Sequence, residues 1–83
     1  MKTKPWYLYI LLCSDNTYYT GIATNLDKRI EMHNSKKGAK YTRGRLPVKL
    51  AYSEKLENES LARKREFEIK ALTRKKKKEL IKK

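Results

Sequence analysis

Arg29 and His33 stand four residues apart, so on a helix they share one face about one turn apart. The pair joins a guanidinium that can clamp an anion to the only side chain whose ordinary pKa, about 6.5, lies near neutrality. A solvated helix face carries such pairs as well. Glu66 has Ala62 at i−4 and Ile69 at i+3, which puts it near the buried edge of a helix instead of fully outside. A carboxylate in that position needs a partner, either Lys70 at i+4 or a divalent metal. Tyr7, Tyr9, Tyr18 and Tyr19 come as two pairs in neighbouring apolar runs, where cross-strand packing accounts for them on its own. Gly21 is sharper, because a glycine inside a strand marks a bulge or the close approach of another group.

These side chains are useful only if the chain places them together. Residues 6–13 and 17–24 are rich in Tyr, Ile, Leu and Thr, and Ser14-Asp15-Asn16 between them is turn chemistry, so the two runs read as a β-hairpin. With a three-residue loop, Cys13 pairs with Thr17, and Tyr9, Tyr19 and Gly21 share one face; a two-residue turn would put Tyr9 on the other. We favour three. Thr24 or Asn25 caps a helix running to Asn34, with Leu26, Ile30 and Ala23 as its apolar stripe and Asp27 in its first turn.

Residues 35–45 have no hydrophobic period and read as a basic loop. Leu46 to Ser53 alternates around Val48, Leu50 and Tyr52, with Pro47 at its start, and reads as a third strand. Asn58 caps a helix from Glu59 to about Leu72, with Leu61, Ala62, Arg65, Ile69 and Leu72 near one face and Phe67 to the side. Thr73 ends it and caps a last short helix containing Leu80 and Ile81. The order is ββαβα plus a short C-terminal helix. It gives a small α/β (α+β) fold, a three-stranded antiparallel or mixed sheet flanked by helices.

The 83 residues hold 22 Lys+Arg against 9 Asp+Glu, a net charge of +13. Residues 1–34 contribute only +1 of this, so the positive field belongs to the second half and points to a polyanion. The length sets one domain over 1–83, with 74–83 a basic helix or tail, and excludes a two-domain enzyme. With 39% hydrophobic residues the chain is not a disordered basic peptide. One Cys and one His exclude a zinc finger and an internal disulfide, and Cys13 reads as a buried thiol. Lys2 and Lys4 before the apolar run at 6–13 superficially imitate a signal peptide, but the run is short and meets a turn. No stretch approaches the ~20 apolar residues of a bilayer span. A soluble, cytoplasmic protein is expected.

Taken in order, these pieces resemble the GIY-YIG nuclease superfamily over most of the chain, from Trp6 to about Thr73. Tyr7-Leu8-Tyr9 stands for the first motif, with Tyr7 in place of the eponymous glycine, and Tyr19-Thr20-Gly21 for the second. Arg29 and His33 match the Arg and His of the following helix, and Glu66 matches the metal-binding Glu of the later one. Gly38-Ala39-Lys40-Tyr41-Thr42 is most similar to the small stand-alone bacterial branch. Several members carry an Asn late in the domain, whereas this chain has none after Asn58.

The resemblance implies a metal-dependent endonuclease that hydrolyses a phosphodiester, in DNA more than RNA, nicking one strand or choosing a substrate by its structure. Arg29 would clamp a non-bridging oxygen, and Glu66 would hold one largely hydrated Mg²⁺ or Mn²⁺ as Lewis acid and leaving-group stabiliser. Water activation falls to Tyr9, assisted by Tyr19 or His33, or to His33 itself. Lys36, Lys37, Lys40, Arg43, Arg45 and the run Arg74, Lys75, Lys76, Lys77 and Lys78 would contact phosphates without sequence preference. A protein partner or homodimer stays open. The competing reading is a non-catalytic nucleic-acid-binding module with a decayed site; a third is an adaptor whose tail docks on an acidic protein.

Overall fold

The longest apolar run of the sequence forms β1 (Trp6–Leu12), the middle strand of a three-stranded antiparallel sheet ordered β2-β1-β3, with β2 spanning Tyr18–Ala23 and β3 Lys49–Leu56. The structure, a computed structural model, describes residues 4–82; Lys2 and the last residue of the tail lie outside the described residues. A central strand covered on both faces is apolar at successive positions. Leu8, Tyr9, Ile10 and Leu11 are accordingly all buried.

The hairpin has the three-residue loop. Tyr9 pairs with Gly21 and Leu11 with Tyr19, and Cys13 N–H donates to the Thr17 carbonyl at 2.9 Å. Asn16 takes the left-handed conformation at φ 65°, which Asn tolerates better than most residues. The Asp15 carboxylate accepts from the Thr17 hydroxyl at 2.6 Å and so ties the turn to its exit strand. Tyr9, Tyr19 and Gly21 therefore share a face. Cys13 is a free, buried thiol whose pKa burial pushes up.

Helices cover both faces of the sheet. α1 (Leu26–Asn34) is capped by Asn25, whose side chain accepts from Lys28 N–H, and lays Leu26 and Ile30 on the face of Tyr9, Leu11, Cys13 and Ala23. On the opposite face Leu8 and Ile10 meet Ile69 of α3 (Glu59–Lys70), joined at the edge by Leu72, Leu80 and Ile81. α3 and the last helix, α4 (Arg74–Ile81), carry the expected caps, Asn58 and Thr73. α3 ends two residues before Leu72. Leu61 is 43% exposed, off the core face, and Phe67 stands 78% exposed to the side. Among the described residues no helix is long and apolar enough to cross a membrane.

Two expectations need correction. The segment 35–45 is not loop throughout, because Lys40–Arg43 forms a one-turn helix, α2. Four residues are too few for a hydrophobic period to betray. The turn is held instead by Thr42, whose N–H and hydroxyl both donate to the Ala39 carbonyl, at 3.1 and 2.9 Å. The third strand runs over Lys49–Leu56, three residues later than expected. Val48 is buried but precedes it, and the Asn34 side chain bonds both its N–H (2.8 Å) and its carbonyl (3.1 Å), replacing a strand neighbour.

Inside β3 the register shifts, with Tyr52 opposite Ile10 but Leu50 opposite Leu11, so Ala51 is the extra residue of a bulge. Leu50 and Tyr52 consequently sit on opposite faces, and Leu50 is 42% exposed. The strand continues through Glu54 because α3 supplies a cation. Arg65 donates to both carboxylate oxygens at 2.9 Å, and Tyr52 O–H donates to Oε2 at 2.5 Å. The Arg65 guanidinium and the Tyr52 hydrogen bond hold the Glu54 carboxyl below its usual value, against the effect of burial.

A folded-state pKa below the unfolded one adds stability that is complete above about pH 4.3 and is lost as pH falls through the folded value. Arg65→Ala should therefore cost about 1–2 kcal/mol near neutral pH, since Glu54 is partly buried. The gap to wild type in urea midpoint should close as the pH falls below about 4.

Candidate active site

Tyr9 lies at the centre of the sheet, 1% exposed, with its ring over Gly21 of the neighbouring strand. A methyl group on Gly21 would sit 2.5 Å from the Tyr9 oxygen and 2.7 Å from Cζ. Glycine is required here for room, not for backbone conformation. Gly21→Ala should displace the phenol, destabilise the fold by about 1–3 kcal/mol as other overpacked sites do, and broaden the Tyr9 ring resonances in an NMR spectrum.

The face of α1 that bears Arg29 and His33 turns toward this ring and not to solvent. His33 is fully buried, with Nε2 3.1 Å from the Tyr9 oxygen. Arg29 Nε–H points at the same oxygen from 3.4 Å. Tyr19 completes the group, its ring centroid 6.4 Å from that of Tyr9 and 5.4 Å, edge-on, from the imidazole. Tyr9, Arg29 and His33 thus meet at one phenolic oxygen, and Tyr19 packs its ring beside them. Arg29 also lines a depression of about 280 Å³ together with Trp6, Asn25, Lys28 and Met32, which Tyr9, Tyr19, His33 and Glu66 do not line.

Electrostatics bind Glu66 to the group. Burial raises the pKa of Tyr9; the hydrogen bond and positive charge of Arg29 oppose this, and the charges of Tyr19 and Glu66 reinforce it. Glu66 on α3 is thus within electrostatic reach of the phenol. Burial, with a contribution from Arg29, lowers the pKa of His33 and keeps the imidazole neutral at pH 7.

The Glu66 side chain is 21% exposed and pairs with Lys70 Nζ at 3.2 Å, the intrahelical partner the sequence offered as one of two readings. Lys70 is itself 54% exposed and can swing into water. No group of three or more His, Cys, Asp or Glu gathers among the described residues. A cation at Glu66 would therefore have one protein carboxylate, a donor set that fits a Mg²⁺ retaining most of its water and does not fit a fully caged ion.

Of the basic residues, Lys36, Lys37, Lys40, Arg43, Arg74, Lys75, Lys76 and Lys78 are exposed and Lys77 is half-buried. Arg45 is held by the fold: it donates to Asp15 at 2.9 Å and to the Tyr41 carbonyl at 2.7 Å, and lies 4.0 Å over the Tyr41 ring. Tyr41 in turn stacks on Tyr19 with centroids 5.7 Å apart. Arg74 rests over Tyr18.

Sequence reasoning did not single out Tyr41, nor Thr42, which is fully buried with its hydroxyl 2.8 Å from His33 Nδ1. The one available signal was an internal polar imbalance. A histidine on the inward face of a helix leaves a second ring nitrogen to be satisfied, and a hydroxyl in the following loop is the nearest candidate.

The model of the GIY-YIG catalytic domain matches residues 5–79. A UPF0213 protein of Clostridium perfringens is 57% identical over 75 residues, covering 90% of this chain and 81% of that protein. Two solution NMR structures are similar in fold and sequence. A UPF0213 protein of Bacillus halodurans has 45% identity and a TM-score of 0.61, covering 94% of this chain and 83% of that one. A protein of E. faecalis has 43% identity and a TM-score of 0.65, covering 98% and 86%.

Proposed function

This chain belongs to the GIY-YIG family, and from that premise we propose that it is a divalent-metal-dependent endonuclease. Its substrate is a phosphodiester of nucleic acid, DNA in preference to RNA, which it nicks or selects by structure. The observation that carries this reading is the convergence of a guanidinium and an imidazole on the Tyr9 oxygen, with the Tyr19 ring packed beside them and the Glu66 carboxylate within electrostatic reach.

Hydrolysis of a phosphodiester requires charge to be absorbed on the phosphoryl oxygens, the attacking water to lose a proton and the leaving 3′-oxygen to be stabilised. Arg29 is half-buried, and its guanidinium binds a non-bridging oxygen beside the Tyr9 phenol. Tyr9 and His33 form the proton path, the phenol facing the water and the imidazole behind it. Glu66 would hold the metal, which would supply Lewis-acid stabilisation when bound. The exposed cations of the α1–α2 segment and of α4 hold the backbone of the substrate by charge, so binding falls steeply with salt and carries little sequence information.

The test is a cleavage assay on branched, single-stranded and duplex DNA and RNA with Mg²⁺ or Mn²⁺, set against EDTA and against Arg29→Ala. Cleavage that needs the metal and falls about 10²- to 10³-fold in the variant is the expected result. If the wild type binds these substrates and cuts none faster than Arg29→Ala does, the protein is a binding module and the nuclease reading is wrong.

A further inference from the structure

We propose that Thr42 is a positioning residue that fixes the tautomer of His33: its hydroxyl oxygen accepts a hydrogen bond from Nδ1–H, which leaves Nε2 bare to receive the proton of Tyr9. The proposal rests on the reading of Tyr9 and His33 as a proton path and gives that path a direction. Two ends of the hydrogen-bond chain lead to it separately.

At one end, the buried Tyr9 oxygen has two hydrogen-bond partners among the described residues, Arg29 Nε and His33 Nε2. Arg29 only donates. The Tyr9 hydrogen therefore goes to His33 Nε2, which must carry none of its own. A neutral imidazole then bears its proton on Nδ1, and burial together with Arg29 keeps this imidazole neutral.

At the other end, Thr42 Oγ1 has one hydrogen, and the Ala39 carbonyl lies 2.9 Å from it in donating geometry. A carbonyl only accepts. Toward Nδ1, 2.8 Å away, the Thr42 oxygen is then the acceptor, which again puts the proton on Nδ1. Hydrogen-bond polarity runs one way throughout, from Arg29 to Tyr9 to His33 Nε2, and from Nδ1 through Thr42 to Ala39. The backbone is built close around this arrangement. Thr42 is fully buried, and a side chain on Gly38 would collide with the His33 ring.

In the reaction the Tyr9 O–H bond breaks and an Nε2–H bond forms, while the Tyr9 oxygen takes a proton from the water whose oxygen bonds to phosphorus; the P–O3′ bond breaks and its electron pair leaves on the 3′-oxygen. One positive charge appears on the imidazole and no electron is gained or lost. Thr42 and, behind it, the Ala39 carbonyl dipole face the Nδ1–H that shares this charge. With the tautomer reversed, Nε2–H would point at Tyr9, and His33 could accept nothing from it.

The imidazole ¹⁵N shifts of the free protein read the tautomer without substrate or metal. Wild type and Thr42→Ser should show protonated Nδ1 and bare Nε2, whereas Thr42→Val, which keeps the shape and removes the acceptor, should move His33 toward the Nε2–H form. In cleavage, Thr42→Val should lose about a hundredfold in kcat with unchanged KM, and Thr42→Ser should recover to within a few-fold of wild type. An Nε2–H tautomer in wild type, or a Thr42→Val protein whose tautomer is unmoved, overturns the proposal. Should Thr42→Val not fold, the wild-type and Thr42→Ser spectra still decide it. A correct tautomer in a wild type that cuts nothing would instead remove the nuclease reading and leave the tautomer assignment standing.

Discussion

Glu66→Gln is expected to lower metal-dependent cleavage by about 10³-fold while leaving nucleic-acid binding at least as tight as in wild type. The substitution keeps the shape of the side chain and removes the only charge with which the site could hold a divalent cation, so the loss should appear in kcat. Binding should not weaken, because the exposed cations that contact phosphate are distant in kind from this change, and one negative charge fewer favours a polyanion. Stability should change by less than about 1 kcal/mol. The Lys70 partner is more than half exposed and is solvated once released, as is usual for an intrahelical surface pair. Two readouts check this: single-turnover cleavage across a Mg²⁺ titration, and salt-dependent binding to an uncleaved analogue. Wild-type rates in the variant would remove Glu66 from the reaction and leave it as the Lys70 partner alone.

The sequence makes the hairpin legible in detail because three independent signals agree on it. The apolar runs give its strands, Ser14-Asp15-Asn16 gives the turn, and the period of two then places Tyr9, Tyr19 and Gly21 on one face. The helix starts are equally plain, since Asn25, Asn58 and Thr73 each have the cap chemistry and each makes the cap hydrogen bond. What cannot be read locally is the partner that satisfies the second ring nitrogen of His33. Leu26, Ile30 and His33 fall at i, i+4 and i+7 of one helical stripe, although the arginine four residues before it also suits a solvent-facing reading of the histidine. Its burial is made tolerable by Thr42, nine residues on and behind a loop, and no periodicity records that compensation.

β3 fails to read for a related reason. The bulge at Ala51 reverses the alternation midway, and Glu54 and Lys55 look like a strand's end until Arg65 of α3 is seen to neutralise the first of them. Glu66 is the intermediate case. Its helix and its half-buried edge position are legible, and so is Lys70 as a partner, yet its influence on the Tyr9 phenol depends on how α3 crosses the sheet.

Tyr9→Phe should cost about 10³-fold in kcat with little change in KM, and it separates the two candidates for the base. The ring stays in the core and only the oxygen is lost, so packing is preserved. What the variant leaves behind is a buried Nε2 on His33 and a half-buried Arg29, each short of a hydrogen-bond partner, at about 1–2 kcal/mol of stability. If His33 took the proton from water directly, Tyr9→Phe would keep most of its activity; the imidazole is fully buried, with the phenol oxygen on its Nε2. The pH profile tests the same point. Burial and Arg29 lower the pKa of His33, so its accepting form already predominates at about pH 6.5, the ordinary imidazole value, and is lost as the pH falls through a lower folded value. Wild-type kcat should therefore be flat through neutrality and decline on an acid limb centred below about 6.5. The residual activity of Tyr9→Phe should lack that limb, because the His33 proton no longer communicates with the attacking water.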